Sequence, residues 1–169
     1  MPASITLRSV QDTDAAFLLA VYASTRAAEL SLVNWSTEQK QDFVEMQFNA
    51  QKAHYARYYP AAEYSIILRD GAPIGRLIVD RSGPKLLLMD IVLLPEHCNQ
   101  GIGTGIIHDL MAEADQAGKP VRLHVESFNP ARRLYQRLGF YPVGESGIYY
   151  EMEWKADGAA MPDEKGEVI

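Results

Sequence analysis

The stretch from Lys85 to Gly118, KLLLMDIVLLPEHCNQGIGTGIIHDLMAEADQAG, limits the fold more than any other part of this chain. It begins with an apolar run, partly β-branched, that reads as a buried strand and is closed by Pro95. A loop punctuated by Gly101, Gly103 and Gly105 follows, and after it a helix. Ile106, Ile107, Leu110, Met111 and Ala114 recur at helical spacing, with His108, Asp109, Glu113 and Gln116 opposite, so one side of that helix packs on a sheet. Gly118 is its natural stop.

A loop of small residues feeding a helix presents several backbone N–H groups where the helix dipole adds positive potential. An anion such as a pyrophosphate can sit there, provided no side chain holds it off the backbone. A mononucleotide P-loop needs Lys-Ser/Thr after its last glycine, and Gly105 is followed by Ile106 and Ile107, so that motif is excluded. A dinucleotide-binding unit has in its favour a next strand, Val121–Val125, ending in Glu126, about where a ribose-binding acid would fall. Against it stand the G-x-G-x-G spacing, the long lead from Pro95 to Gln100, and the short remainder of the chain.

Downstream lies Asn129-Pro130-Ala131-Arg132-Arg133-Leu134-Tyr135-Gln136-Arg137-Leu138-Gly139-Phe140, then Tyr141-Pro142-Val143-Gly144 and a last strand, Ile148 to Trp154. Strand, glycine loop, helix, strand, then N-P-A-x-x-L-Y-x-x-L-G-F resembles the GNAT superfamily of acetyl-coenzyme A-dependent N-acetyltransferases, over about Lys85 to Trp154. The resemblance implies an α/β (α+β) fold: one GNAT-type domain with a mixed, mostly antiparallel sheet, a splayed central parallel strand pair and helices on both faces. One position departs from the family's Gln/Arg-x-x-Gly-x-Gly/Ala loop. Gly101 and Gly103 match, but Cys98 stands first, which implies weaker affinity for the cofactor rather than none, with His97 or Asn99 as candidates to compensate.

The length of 169 residues fits one domain, placed at residues 1–154, with an acidic tail over 155–169 expected to be disordered. One cysteine excludes a disulfide framework. No signal segment is seen at the N-terminus, and no apolar run approaches the ~20 residues of a membrane helix, so a cytoplasmic protein without a membrane partner is expected. A formal charge of -6 and a pI near 5.2 disfavour nucleic acid. His97, His108 and His124 are scattered without metal-ligand spacing, so no metal is expected.

Earlier in the chain, Ile5 to Ser9 alternates as a first strand, and Asp12, Thr13 and Asp14 are N-cap candidates for a helix with Phe17, Leu18, Val21 and Tyr22 on its apolar face. Arg26 to Trp35 reads as a mixed connection. Ser36 and Gln39 form a capping box opening a second helix, whose expected face holds Phe43, Met46, Ala50 and Ala53. That helix ends in the aromatic cluster His54, Tyr55, Tyr58 and Tyr59. Tyr64–Leu68 and Pro73–Val79 flank an Asp-Gly turn and predict a hairpin.

By resemblance, a phosphate cradle covers Cys98, Asn99, Gln100, Gly101, Ile102, Gly103 and Thr104, and backbone groups of Ile91, Val92 and Leu93 pair with the pantetheine arm. Asn129 would bond that arm while capping the next helix, and Arg132, with Arg133, could reach the ribose phosphate. Tyr135 falls where a phenol protonates the departing thiolate. Asp90, ahead of the expected bulge, and Glu126, at the next strand's end, are alternative bases, and Glu29 is a candidate for reading substrate charge. The resemblance thus implies direct acetyl transfer, in a ternary complex, from acetyl-CoA as cosubstrate to a primary amine of a small molecule, amino acid or peptide. Specificity would reside in residues 26–60, which carry no motif. The alternatives are a catalytically weakened coenzyme A-binding sensor or interaction module and, on the strength of Glu126, a nicotinamide-dependent oxidoreductase. Fold-level analogy adds a homodimer through the last strands.

Overall fold

A computed structural model describes residues 3–156. The expected acidic tail lies outside them apart from Lys155 and Ala156, which follow the last strand without regular structure. The chain divides into two compact units, one reaching to Asp80 and including Asp90–Thr104, the other formed by Arg81–Met89 and the chain from Gly105 on.

In the first unit, β1 (Ile5–Ser9) leads through a 3-10 turn at Asp12–Asp14 into α1 (Ala15–Leu30), and α2 (Thr37–Tyr58) follows. The Asp residues do not cap α1 with their side chains; the Asp14 carboxylate instead takes a two-pronged bond from Arg8 and one from the Gln11 N–H. The helix runs on through Arg26 to Leu30, where a connection was expected, because Ala27, Ala28, Glu29 and Leu30 are all good helix formers. The capping box at Ser36 and Gln39 forms in both directions.

The buried face of α2 is only partly the expected one: Phe43 packs, half-buried, against the core. Val44 and Phe48 point inward with Tyr22 and Leu30 of α1, whereas Met46 is 60% exposed and Ala50 and Ala53 lie outward. The inward stripe continues through a polar residue, Gln51, which makes it illegible as an apolar period. At the helix end His54 packs its ring against Tyr55, Tyr58 and Tyr59, with Tyr58 at 4.8 Å.

β2 (Glu63–Arg69) and β3 (Ala72–Asp80) form the predicted hairpin, and Asp70 and Gly71 both adopt positive φ, 51° and 84°, as a tight two-residue turn requires. Within it the register slips between Ile67 and Leu68, a bulge that leaves Ile74 of β3 unpaired.

β4 (Leu86–Leu93) belongs to both units, its first half to the second and its last four residues to the first. In the second unit its start pairs in parallel with β5 (Val121–Glu126), Leu86 to Leu88 against Val121 to Leu123. The rest of this unit comprises most of α3 (Ile102–Gln116), α4 (Ala131–Arg137), β6 (Tyr141–Ser146) and β7 (Tyr149–Trp154). β5 and β6 both flank β7, antiparallel. The strand order is β1-β2-β3-β4-β5-β7-β6, a mixed sheet with one parallel pair, as the fold class anticipates. β6 is an addition to the sequence reading: Pro142 and Gly144 look like turn residues, but an edge strand tolerates proline, and the ladder shifts between those two. The expected apolar face of α3, Ile106, Ile107, Leu110, Met111 and Ala114, is buried in full. Burial of each large member contributes about 1.5–3 kcal/mol. Gly118 ends the helix at φ 67°, with the Lys119 N–H closing back on the Ala114 carbonyl.

Candidate active site

The segment between β4 and α3 carries the glycine loop. After a 3-10 turn at Pro95–His97, Asn99 and Gly101 take positive φ, 61° and 81°, so the chain reverses twice before the helix begins at Ile102. Gly103 and Gly105, expected in the loop, therefore stand inside the first turn of α3. Their lack of a Cβ leaves that turn bare: at Gly105 an added methyl would meet nothing within 4 Å, and at Gly103 only Leu93 Cδ1 at 3.9 Å. Gly101 likewise faces open space. A double reversal ahead of a helix start that lacks side chains at Gly101, Gly103 and Gly105 can receive a phosphate-bearing group. The Cys98 thiol is exposed and turned back on the carbonyls of Leu93 and Leu94, 3.6 Å from each. Arg69, at the end of β2, brings a guanidinium to the loop from outside the motif: it donates to Gln100 Oε1 at 2.8 Å and lies 3.2 Å from His97 Nδ1. Asn99 is exposed and holds a turn.

Just upstream, β4 carries Asp90, Ile91, Val92 and Leu93 in the same unit. Gly75 on β3 admits this segment, because a Cβ at that position would lie 2.1 Å from the Val92 carbonyl oxygen. Asp90 is held by Arg76 of β3, whose Nε and Nη2 both lie 2.6 Å from Oδ2. Arg76 is 5% exposed, donates to Gln51 Oε1 of α2 at 2.7 Å, and stacks its guanidinium near the Tyr22 and Phe48 rings. Desolvation pushes the Asp90 carboxyl above the ordinary carboxylate range, with Arg76 pulling the other way. Glu29 is ion-paired with Arg26 at 3.1 Å, and Arg26 also donates to the Tyr22 hydroxyl.

The other motif residues lie in the second unit. Glu126, half-buried, ends β5, and its carbonyl accepts from the Asn129 N–H. Asn129 does act at the helix start, its carboxamide oxygen accepting from the Ala131 N–H at 2.9 Å, with Pro130 between them. Tyr135 on α4 is buried, its ring edge-on to Phe140 at 5.7 Å. That contact follows from Gly139, whose φ of 101° turns the chain so that the Phe140 N–H bonds the Tyr135 carbonyl. Arg132 lies over the Tyr150 ring at 5.0 Å, while Arg133 is exposed. Among the described residues no group of three or more His, Cys, Asp or Glu is placed to hold a metal ion, and no helix is long and apolar enough to cross a membrane.

Sequence reading missed Arg76, Gln51 and Arg69. The available signal was Arg76 itself, a charge in the middle of the apolar strand Ile74 to Val79.

Residues 28–140 match the model of the Acetyltransferase (GNAT) family, and the chain belongs to that family. The fold is shared with the PaiA N-acetyltransferase of Thermoplasma acidophilum in complex with coenzyme A, at 20% identity and TM-score 0.69 over 90% of this chain and 99% of that one. It is also shared with an acetyltransferase of Thermus thermophilus, at 18% identity and TM-score 0.64 over 89% and 96%. A GCN5-related N-acetyltransferase of Rhodopseudomonas palustris gives 18% identity and TM-score 0.63 over 90% and 97%.

Proposed function

We propose that the protein is an acetyl-CoA-dependent N-acetyltransferase that acts on a primary amine of a small molecule, amino acid or peptide by direct transfer in a ternary complex, in the cytoplasm. The observation that carries this reading is the cradle: Asn99 and Gly101 in left-handed conformation ahead of the bare first turn of α3. The residues present fit a diphosphate there, with no side chain at Gly101, Gly103 or Gly105 to hold it off the backbone at the start of α3 and a guanidinium close by.

When bound, acetyl-CoA supplies an activated thioester carbonyl. In this reading Ile91, Val92 and Leu93 pair through their backbone with the pantetheine arm, and a backbone N–H of Val92 or Leu93 stabilises charge developing on the carbonyl oxygen. Positioning of thioester and amine converts a bimolecular encounter into a unimolecular step. Asp90, with one oxygen on Arg76, removes a proton from the attacking amine, directly or through water; Tyr135 returns one to the departing sulfur. Glu126 stands as the alternative base. Asn129 divides its polar atoms between capping α4 and the pantetheine arm, and Arg132 is the candidate for the ribose phosphate.

The test is calorimetric titration with acetyl-CoA, with NAD as control, followed by turnover over a panel of amines. Saturable binding and acetylation of an amine are expected; no binding, or no acetyl transfer across the panel with Tyr135→Phe indistinguishable from the parent, sinks the reading.

A further inference from the structure

We infer that Arg76 is a positioning residue: locked by Gln51, it fixes the Asp90 carboxylate by one oxygen and leaves the other oxygen open for a substrate amine. This deepens the proposed reaction and rests on Asp90 as its base.

Three observations converge. The guanidinium hydrogen-bonds Asp90 at Oδ2, at 2.6 Å; among the described residues no hydrogen bond reaches Oδ1, and the Asp90 side chain is 22% exposed. The fork of Arg8, by contrast, takes both oxygens of Asp14, with 2.8 Å on each side. Arg76 is also unable to follow a moving carboxylate: Gln51 holds its Nη2 from α2 at 2.7 Å, and Tyr22 and Phe48 lie 5.9 and 6.0 Å from its Cζ. The one-sided arrangement is thereby imposed from three elements, α1, α2 and β3.

The remaining groups around the pair do not take over its charge balance. On α1, Arg26 is committed to Tyr22 and Glu29. On α2, Lys52 lies over the Phe48 ring. On β2, burial raises the Tyr64 phenol, and Arg76 lowers it. Asp12 lines the cavity of about 240 Å³ that Lys52, Tyr64 and Arg76 also border. Arg76 is the cation in contact with Asp90, so its loss leaves desolvation to raise the Asp90 carboxyl further.

The experiment follows the Asp90 carboxyl by carbon NMR, assigned with Asp90→Asn, and the acid limb of kcat/KM in parallel. Arg76→Gln keeps a hydrogen-bonding group in place and removes the charge; the Asp90 midpoint is expected to rise by about 1–3 pH units, carrying the acid limb with it. Gln51→Leu, which frees the guanidinium while keeping its charge, moves both the same way by less, and decides the matter if Arg76→Gln does not fold. A midpoint unchanged in folded variants overturns the positioning role. A midpoint that moves while the acid limb stays still leaves the hold of Arg76 intact and overturns Asp90 as the base.

Discussion

Tyr135 offers the most direct test of the chemistry, since removing its hydroxyl leaves a phenyl ring that still meets Phe140 edge-on. Tyr135→Phe is expected to lower kcat by about 10²-fold or more, the range of a lost general acid, while acetyl-CoA affinity stays within about a factor of two. Steady-state kinetics beside calorimetry separate the two; an equal loss in both would make Tyr135 a packing residue. Asp14 tests stability instead. The Arg8 guanidinium and the Gln11 N–H hold its carboxyl down from 3.8 to about 2. A carboxyl depressed in the folded state contributes stability above its unfolded value and loses it as pH falls through the folded one. The window is therefore about pH 4 down to 2, and Asp14→Asn should flatten the melting-temperature profile there. A profile as steep as the parent's would place the acid sensitivity elsewhere.

At the scale of the element, β4 and the loop after it make two different demands on glycine. Gly75 is needed for space: a methyl would press on the Val92 carbonyl oxygen at 2.1 Å and on Leu93 Cα at 3.1 Å, both backbone, so the end of β4 must move. Gly75→Ala should cost about 1–3 kcal/mol by denaturant unfolding and weaken acetyl-CoA binding, because the displaced residues are those proposed to pair with the pantetheine arm. Gly101 is needed for conformation, at φ 81° with nothing near a built Cβ. Gly101→Ala should cost about 1–2 kcal/mol from backbone strain alone. The loop motif was legible because its demands are local: Gly101, Gly118 and Gly139 each mark a reversal within a few residues of the helix they start or stop. The face of α2 was not, because Gln51 is turned inward by a partner 25 residues away. β6 was hidden for a related reason, its strand identity coming from β7 rather than from its own proline and glycine.

Across the whole molecule the candidate residues divide between the two units, with Asp90 to Thr104 in one and Glu126 to Tyr135 in the other. Both motifs could be read from the sequence because each is continuous. The Arg76–Asp90–Gln51 cluster could not, its pairs being 14 and 25 residues apart in the chain and brought together only by strand pairing and helix packing. Ligand linkage provides the corresponding test. A cosubstrate that binds the folded chain and not the unfolded one stabilises it by about 2.7 kcal/mol at a concentration 100 times its Kd. For a chain of this size that corresponds to a rise in Tm of about 5–10 °C. Acetyl-CoA should produce that rise, NAD should leave Tm unchanged, and the shift should shrink in Gly101→Ala at the same ligand concentration. A rise with NAD and none with acetyl-CoA would return Glu126 to the role of a ribose-binding acid and remove the acetyltransferase reading of the site.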